Sequence, residues 1–279
     1  MPENSLTAKK PAPPVALSIA GSDSSGGAGI QADLKTFQAL GCFGTTAITA
    51  ITCQNTTGVS AVQGIDPGIV AGQIRDVLAD FPVAAAKTGM LFSAEIIAAV
   101  SEAWRTTAGQ IPLVVDPVMV ATSGHRLLET TAEAALIAFL QQATLITPNL
   151  PEAEVILERS IQSMTDMHAA ARELQKQTRA SVLLKGGHRL QSGERPGEAV
   201  DILFDGSNIE EIARPVLSTN STHGTGCTLS AAIAAGLSQG QSLITAVHAA
   251  RDYLHGAVQH APGLGAGSGP LNHMWNSSS

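Results

Sequence analysis

The chain has 279 residues, of which 44% are hydrophobic, 14% charged and 3% aromatic, with a formal net charge of −7. That is enough apolar material for one large domain with close helix-on-sheet packing. The acidic balance, without a basic run or an Arg/aromatic cluster, argues against a nucleic-acid-binding role.

Cys42, Cys53 and Cys227 are too widely separated for a disulfide framework or a zinc pattern, and they suit a reducing cytosol. The polar, proline-rich opening lacks the apolar centre of a signal peptide, and no apolar run approaches transmembrane length. The expectation is a soluble cytoplasmic protein: an N-terminal tail over 1–14, one domain over 15–275 and a frayed end over 276–279.

In chain order, the apolar run 15–20 ends at Gly21 and reads as a buried strand feeding a loop. Apolar residues at 30, 34, 37 and 40 predict a helix over 30–40, and the Thr/Ile-rich segment 44–52 a second strand. A helix over 67–80, a strand over 83–88 and a helix over 93–107 follow. The strand 111–115 is stopped by Asp116-Pro117. Then come a helix over 131–142, a strand over 144–147, a helix over 151–158 opened by Pro151, a helix over 167–178 and a strand over 181–185. The alternating residues 199–204, the Asp205-Gly206 turn and 209–213 predict an antiparallel hairpin. Helices over 225–237 and 242–259 close the chain. Strands alternating with helices predict an α/β fold whose mostly parallel sheet is covered on both faces.

Ligands collect at the carboxyl ends of such strands, and there the polar irregularities fall: 21–29, Gln54-Asn55, 87–90, Asp116, 149–152 and 185–188. The segment Ser221-Thr222-His223-Gly224-Thr225-Gly226-Cys227-Thr228 leads into an apolar helix. A helix start offers unpaired N–H groups and a positive dipole end, so Gly224, Thr225 and Gly226 outline an anion hole. Cys227 in the first turn is expected to lose its proton more easily there. An ordinary glycine-rich turn with a small buried cysteine fits the same residues.

The loop from Gly21 to Gly29 lacks the Lys-Ser/Thr ending of a phosphate loop and the dinucleotide glycine spacing. It reads as a tight substrate-side loop. Asp33 is either a hydrogen-bond acceptor for the ligand or a solvated helix-start carboxylate. Gln54 offers a donor and an acceptor for an aminopyrimidine edge, or simply occupies a turn. Met90 lines a pocket or fills core. Asn149 and Glu152, with Asp116 through water, suit a sparse magnesium site; they equally suit an N-cap with a first-turn Glu. Lys185 is a phosphate-side ammonium or a surface charge. His188 and His223 stand beside glycine motifs.

These pieces resemble one family. Ile19-Ala20-Gly21-Ser22-Asp23-Ser24-Ser25-Gly26-Gly27-Ala28-Gly29-Ile30-Gln31-Ala32-Asp33 closely resembles the opening of hydroxymethylpyrimidine/phosphomethylpyrimidine kinases, the thiamine-biosynthesis branch of the ribokinase superfamily. The likeness continues through Thr52-Cys53-Gln54-Asn55-Thr56, Lys87-Thr88-Gly89-Met90-Leu91, Asp116-Pro117-Val118-Met119, Asn149-Leu150-Pro151-Glu152, Lys185-Gly186-Gly187-His188 and Thr222-His223-Gly224-Thr225-Gly226-Cys227, and reaches the glycine-rich end at 263–273.

The resemblance implies a three-layer α-β-α ribokinase-like kinase, a homodimer using ATP and Mg2+. It would phosphorylate 4-amino-5-hydroxymethyl-2-methylpyrimidine and then its monophosphate. Gln54 and Asp33 would contact the pyrimidine, with Gly21, Ala28, Met90 and Val118 shaping its pocket. Cys227 would be the base or an anion-hole group beside the N–H groups of Gly224, Thr225 and Gly226. Lys185, Asn149, Thr222 and His223 would face ATP, and Glu152, Asn149 and Asp116 would organise magnesium.

Three departures from the family pattern stand out. Ser24 replaces a frequent Pro and should loosen the first loop. Thr122 stands in place of a common Lys, and Ser221 in place of a frequent Asn. The competing expectations are a pyridoxal kinase of the same superfamily and a non-catalytic pyrimidine sensor.

Overall fold

The computed structural model describes residues 11–121, 124–187 and 197–276. The expectations placed on Thr122 and His188, and most of both expected tails, lie outside these residues. β1 (Val15–Ser22) shows how the sheet divides the core. Side chains alternate along a strand, so Val15, Leu17 and Ile19 enter one apolar cluster while Ala16 enters another on the opposite face. The first cluster takes in buried residues of α2 (Pro67–Asp80), α3 (Ala94–Thr107), α4 (Glu133–Phe139), α5 (Leu150–Leu157) and α6 (Met164–Thr178). The second takes in those of α1 (Gly29–Ala39), α7 (Thr225–Ser238) and α8 (Leu243–Gln259).

The remaining strands are β2 (Phe43–Asn55), β3 (Gly58–Gly64), β4 (Val83–Thr88), β5 (Leu113–Val115), β6 (Leu145–Ile146), β7 (Ser181–Lys185), β8 (Glu198–Phe204) and β9 (Ile209–Pro215). They form one nine-stranded sheet in the order β3-β2-β1-β4-β5-β6-β7-β8-β9. The run from β2 to β7 is parallel, and β3, β8 and β9 add antiparallel edges. The α/β expectation and its terminal hairpin therefore hold. Register places Ser18 on β1 beside Lys87 on β4, so both side chains leave the same face.

Helix starts follow their caps. Ser93, Ser163 and Ser242 accept hydrogen bonds from N–H groups of the first turns of α3, α6 and α8. The cap at Ser163 starts α6 three residues before the expected boundary. The helix expected over 131–142 is shorter: α4 is flanked by 3-10 turns at Thr130–Ala132 and Leu140–Gln142. β3 was not expected, because its glycine ends and half-exposed residues give no apolar alternation.

Candidate active site

The ends of six parallel strands and the start of α7 converge on one cavity of about 590 Å³. Its lining includes Gly21, Ala28, Gln54, Met90, Val118, Asp116, Asn149, Glu152, Lys185, Thr222, His223, Gly224, Thr225, Gly226 and Cys227. Of the residues expected at the site, Asp33 alone does not line it.

The first loop and the α7 turn are locked together by backbone approach. Gly224 is the N-cap of α7, with φ +83 and no capping side chain. A Cβ there would lie 1.9 Å from the carbonyl oxygen of Gly27. Asp23 organises the loop from inside: its carboxylate accepts from Ser25 N at 2.9 Å, Gly27 N at 3.1 Å and Ala28 N at 2.8 Å, and lies 2.8 Å from His223 Nε2. Burial alone would raise the Asp23 pKa, but His223, Ser25 and Ala28 outweigh it and bring it down to about 2. Ser24 does not leave the loop slack. Its hydroxyl donates to the Gln54 carbonyl and accepts from the Gln54 N–H, each at 2.8 Å, tying the loop to the end of β2. Gln54 Nε2 lies 3.4 Å from His223 Nε2, so the amide stands beside the α7 turn.

Asp33 requires a correction. It is fully buried, 3.1 Å from Lys87 Nζ, and accepts from Ser18 Oγ at 2.5 Å. Burial pushes its carboxyl upward against the opposing pull of Lys87. On the other side of the pair, burial works against the Lys87 ammonium, but Asp33 outweighs it and the pKa rises. A carboxylate so placed is a partner for Lys87 rather than part of the ligand surface. Sequence reasoning missed Lys87, although a lysine inside the strand Val83–Thr88, among alanines, was a visible signal.

A second correction concerns Cys227. Its thiol is pushed up to about 11, not down, because burial outweighs the help of Lys87, while Asp33 and Asp116 add to the upward push. Desolvation wins over the helix start, and the resting residue is a thiol at neutral pH.

Asn149 and Glu152 form a reciprocal capping box: Asn149 Oδ1 accepts from Glu152 N and Glu152 Oε2 from Asn149 N, both at 2.9 Å. The structural reading of this pair is therefore correct, and the pair still lines the cavity. Lys185 Nζ donates to Asp116 Oδ1 at 2.9 Å, and Thr147 Oγ1 donates to the same oxygen at 3.1 Å. Lys185 is no surface charge: burial disfavours its ammonium, yet Asp116 and Glu152 hold its pKa above the ordinary value. Glu152 rises to about 7, driven by burial against the pull of Lys185, with Asp116 adding to the rise. Among the described residues no three His, Cys, Asp or Glu side chains cluster as a metal cage. Two carboxylates sharing one ammonium suit a cation that keeps most of its water and phosphate ligands, as magnesium does.

A glycine-rich turn at the start of α7, a buried lysine and a sparse carboxylate pair share one cavity at the strand ends of a mostly parallel sheet, and the chain is a phosphotransferase of the ribokinase-like class. The chain spans 94% of its length in common with a Bacillus subtilis pyridoxal kinase solved as an ADP complex, covering 98% of that chain with a TM-score of 0.85 at 36% identity. A solved phosphomethylpyrimidine kinase from Clostridium difficile 630 aligns with a TM-score of 0.76 at 43% identity, covering 86% of this chain and 97% of that one. The family model described as phosphomethylpyrimidine kinase matches residues 23–272, and the chain belongs to that family. It is 49% identical to the hydroxymethylpyrimidine/phosphomethylpyrimidine kinase of Rhizobium meliloti over 93% of this chain and 97% of that protein. It also matches a bifunctional thiamine biosynthesis protein of Geobacter sulfurreducens at 47% identity, spanning 92% of this chain and 52% of that longer protein. As a kinase-family enzyme it departs from the expected alternative of a non-catalytic sensor.

Proposed function

We propose that the chain transfers the γ-phosphoryl group of ATP to the hydroxymethyl oxygen of 4-amino-5-hydroxymethyl-2-methylpyrimidine, and then a second phosphoryl group to the monophosphate. The observation that carries this reading is the meeting of Gln54 and the 224–227 turn in one cavity. The Gln54 amide would pair with the aminopyrimidine edge, while Gly21, Ala28, Met90 and Val118 enclose the ring. The hydroxyl would face the α7 turn, whose N–H groups stabilise charge on the transferring phosphoryl group. The O–P bond to the substrate forms as the bond to the ADP oxygen breaks, and the hydroxyl proton passes late, as a loose transition state allows, to the Cys227 sulfur in its thiolate form. Magnesium bound beside Glu152 and Asp116, through water and phosphates, would neutralise ATP; Lys185 and His223 would face its phosphates. A cytoplasmic homodimer completes the reading.

The test is an ADP-release panel with ATP and magnesium on the pyrimidine, its monophosphate and pyridoxal. Release with both pyrimidines is the expected result; release with pyridoxal alone would sink the reading. Pyridoxal belongs in the panel because a Staphylococcus aureus pyridoxal kinase solved with pyridoxal and an ATP analogue aligns with a TM-score of 0.84 at 34% identity.

Two variants probe the roles within the site. Cys227→Ala is expected to lower kcat by about 100-fold, the lower end for an acid–base group, with the pyrimidine KM little changed. The wild-type rate should climb toward alkaline pH, as befits a thiol near 11, and the variant should lose that climb. Steady-state kinetics at pH 7 to 10 decide it, and full turnover in the variant removes Cys227 from the chemistry.

For Glu152 the folded pKa of about 7 lies above the ordinary 4.5. Its burial therefore costs nothing below about pH 4.5, and stability is lost as pH rises toward 7. Glu152→Gln should show a smaller fall in Tm between pH 5 and 8 than the wild type. It should also lose the wild type's rise in magnesium affinity over pH 6 to 8, which follows from deprotonation of a ligand. Equal pH profiles in the two proteins would contradict this role.

A further inference from the structure

The Asp33–Lys87 pair is sealed from water, with both side chains 0% exposed. A buried ion pair of this kind is seldom more stabilising than apolar residues of the same volume, so stability alone does not account for it. Its position does. Ser18 and Lys87 lie side by side in register on β1 and β4, and both face the layer that contains α1 and α7. Asp33 on α1 meets them there, its two oxygens 3.1 and 3.2 Å from Nζ. The ammonium stands just behind the cavity wall: a side chain on Gly89, which lines the cavity, would come within 3.0 Å of Nζ. Cys227 and Asp116 both lie within its field.

Resting on the kinase reading above, we propose that Lys87 is a positioning residue for phosphoryl transfer, a fixed positive charge behind the Gly89 wall that favours negative charge at the Cys227 turn, with Asp33 as the counter-ion that holds it there. A charge held in a dry site acts strongly over a few ångströms and needs no reorganisation as the reaction proceeds. Hydrogen bonding from Ser18 fixes the counter-ion, so the ammonium stays directed along the sheet face. The groups around the Cys227 thiol are Lys87 from β4, Asp33 from α1, Asp116 beyond β5 and the Gly29 N–H at the start of α1. Lys185 stands nearby, within 3.4 Å of the place a Cβ on Gly226 would take.

The test uses the double variant Lys87→Met/Asp33→Asn, which removes both charges while keeping side-chain length and an acceptor for Ser18. Lys87→Met alone would strand a buried carboxylate, so it is not the informative variant. Circular dichroism and thermal unfolding establish folding. Kinetics are then read beside residue-resolved alkylation of Cys227 by iodoacetamide, followed by mass spectrometry so that Cys42 and Cys53 are counted separately. The expected result is a kcat lower by about 100-fold, comparable to loss of one oxyanion-hole donor, with pyrimidine KM within a few-fold and Cys227 alkylated more slowly at pH 8. Asp33→Asn alone takes the counter-ion from a buried ammonium that burial disfavours, so Lys87 should lose its charge and that alkylation should slow as well. A folded double variant with unchanged kcat and unchanged alkylation overturns the proposal. If the double variant does not fold, unchanged alkylation in Asp33→Asn overturns it instead. Alkylation does not require turnover, so failure of the proposed substrates in the panel would leave this readout intact and separately interpretable.

Discussion

Gly224→Ala is expected to lower phosphoryl transfer by at least about 100-fold, the usual consequence of displacing reacting groups by about 1 Å. Two physical terms act at this position. The backbone has φ +83, where a Cβ costs about 1–2 kcal/mol. More seriously, that Cβ would lie 1.9 Å from the Gly27 carbonyl oxygen and 3.2 Å from the Ala28 Cα. Both obstacles are backbone, so no rotamer change relieves them. Either the first loop or the α7 turn must move, and each is a wall of the cavity. Gly240→Ala is the control: it has φ +79, but nothing lies within 4 Å of its Cβ. It should show the modest loss of stability due to φ alone and wild-type kinetics. Comparable kinetic losses in both variants would mean that backbone conformation, rather than contact between loop and turn, governs the site.

The gross fold was legible because most strands and helices differ in apolar period, and polar residues punctuate the strand ends. Serine caps at Ser93, Ser163 and Ser242 add sharp helix starts. β3 was not legible: its seven residues, flanked by glycines on a sheet edge, bury too little for a pattern to form. At the site, composition and spacing revealed which segments meet but not how their side chains pair. Asp33 read as a ligand contact because its partner Lys87 is 54 residues away, brought to it by strand register rather than by any local motif. Cys227 read as an easily ionised thiol because the helix start is visible in sequence, whereas the desolvation that overrides it comes from packing. Asn149 and Glu152 illustrate the opposite case, in which the helix-capping and cavity-lining readings are both satisfied by one geometry.

Asp23→Ala is the other large effect. One carboxylate, 3% exposed, accepts from the N–H groups of Ser25, Gly27 and Ala28 and from the Ser25 hydroxyl, and pairs with His223. Removing it leaves several donors unmet in a partly buried loop, at about 1–3 kcal/mol for each donor that water cannot reach. A total loss of roughly 3–5 kcal/mol is expected, in the range seen when one member of a buried charged pair is deleted. Such a loss would lower Tm by many degrees, and the loosened loop should raise the pyrimidine KM. Asp23→Asn retains one acceptor and should fall between the two proteins. The pH dependence identifies the cause. With a folded pKa of about 2 against an ordinary 3.8, the Asp23 carboxylate contributes its full stability above about pH 4 and loses it as pH falls through 2, about 2.5 kcal/mol in all. Denaturant unfolding between pH 2 and 6 should therefore show an acid limb in the wild type that is shallower in Asp23→Asn. Identical acid limbs would mean that the loop is held by close packing, with His223 and Pro270 nearest to Gly27, rather than by the charge at its centre.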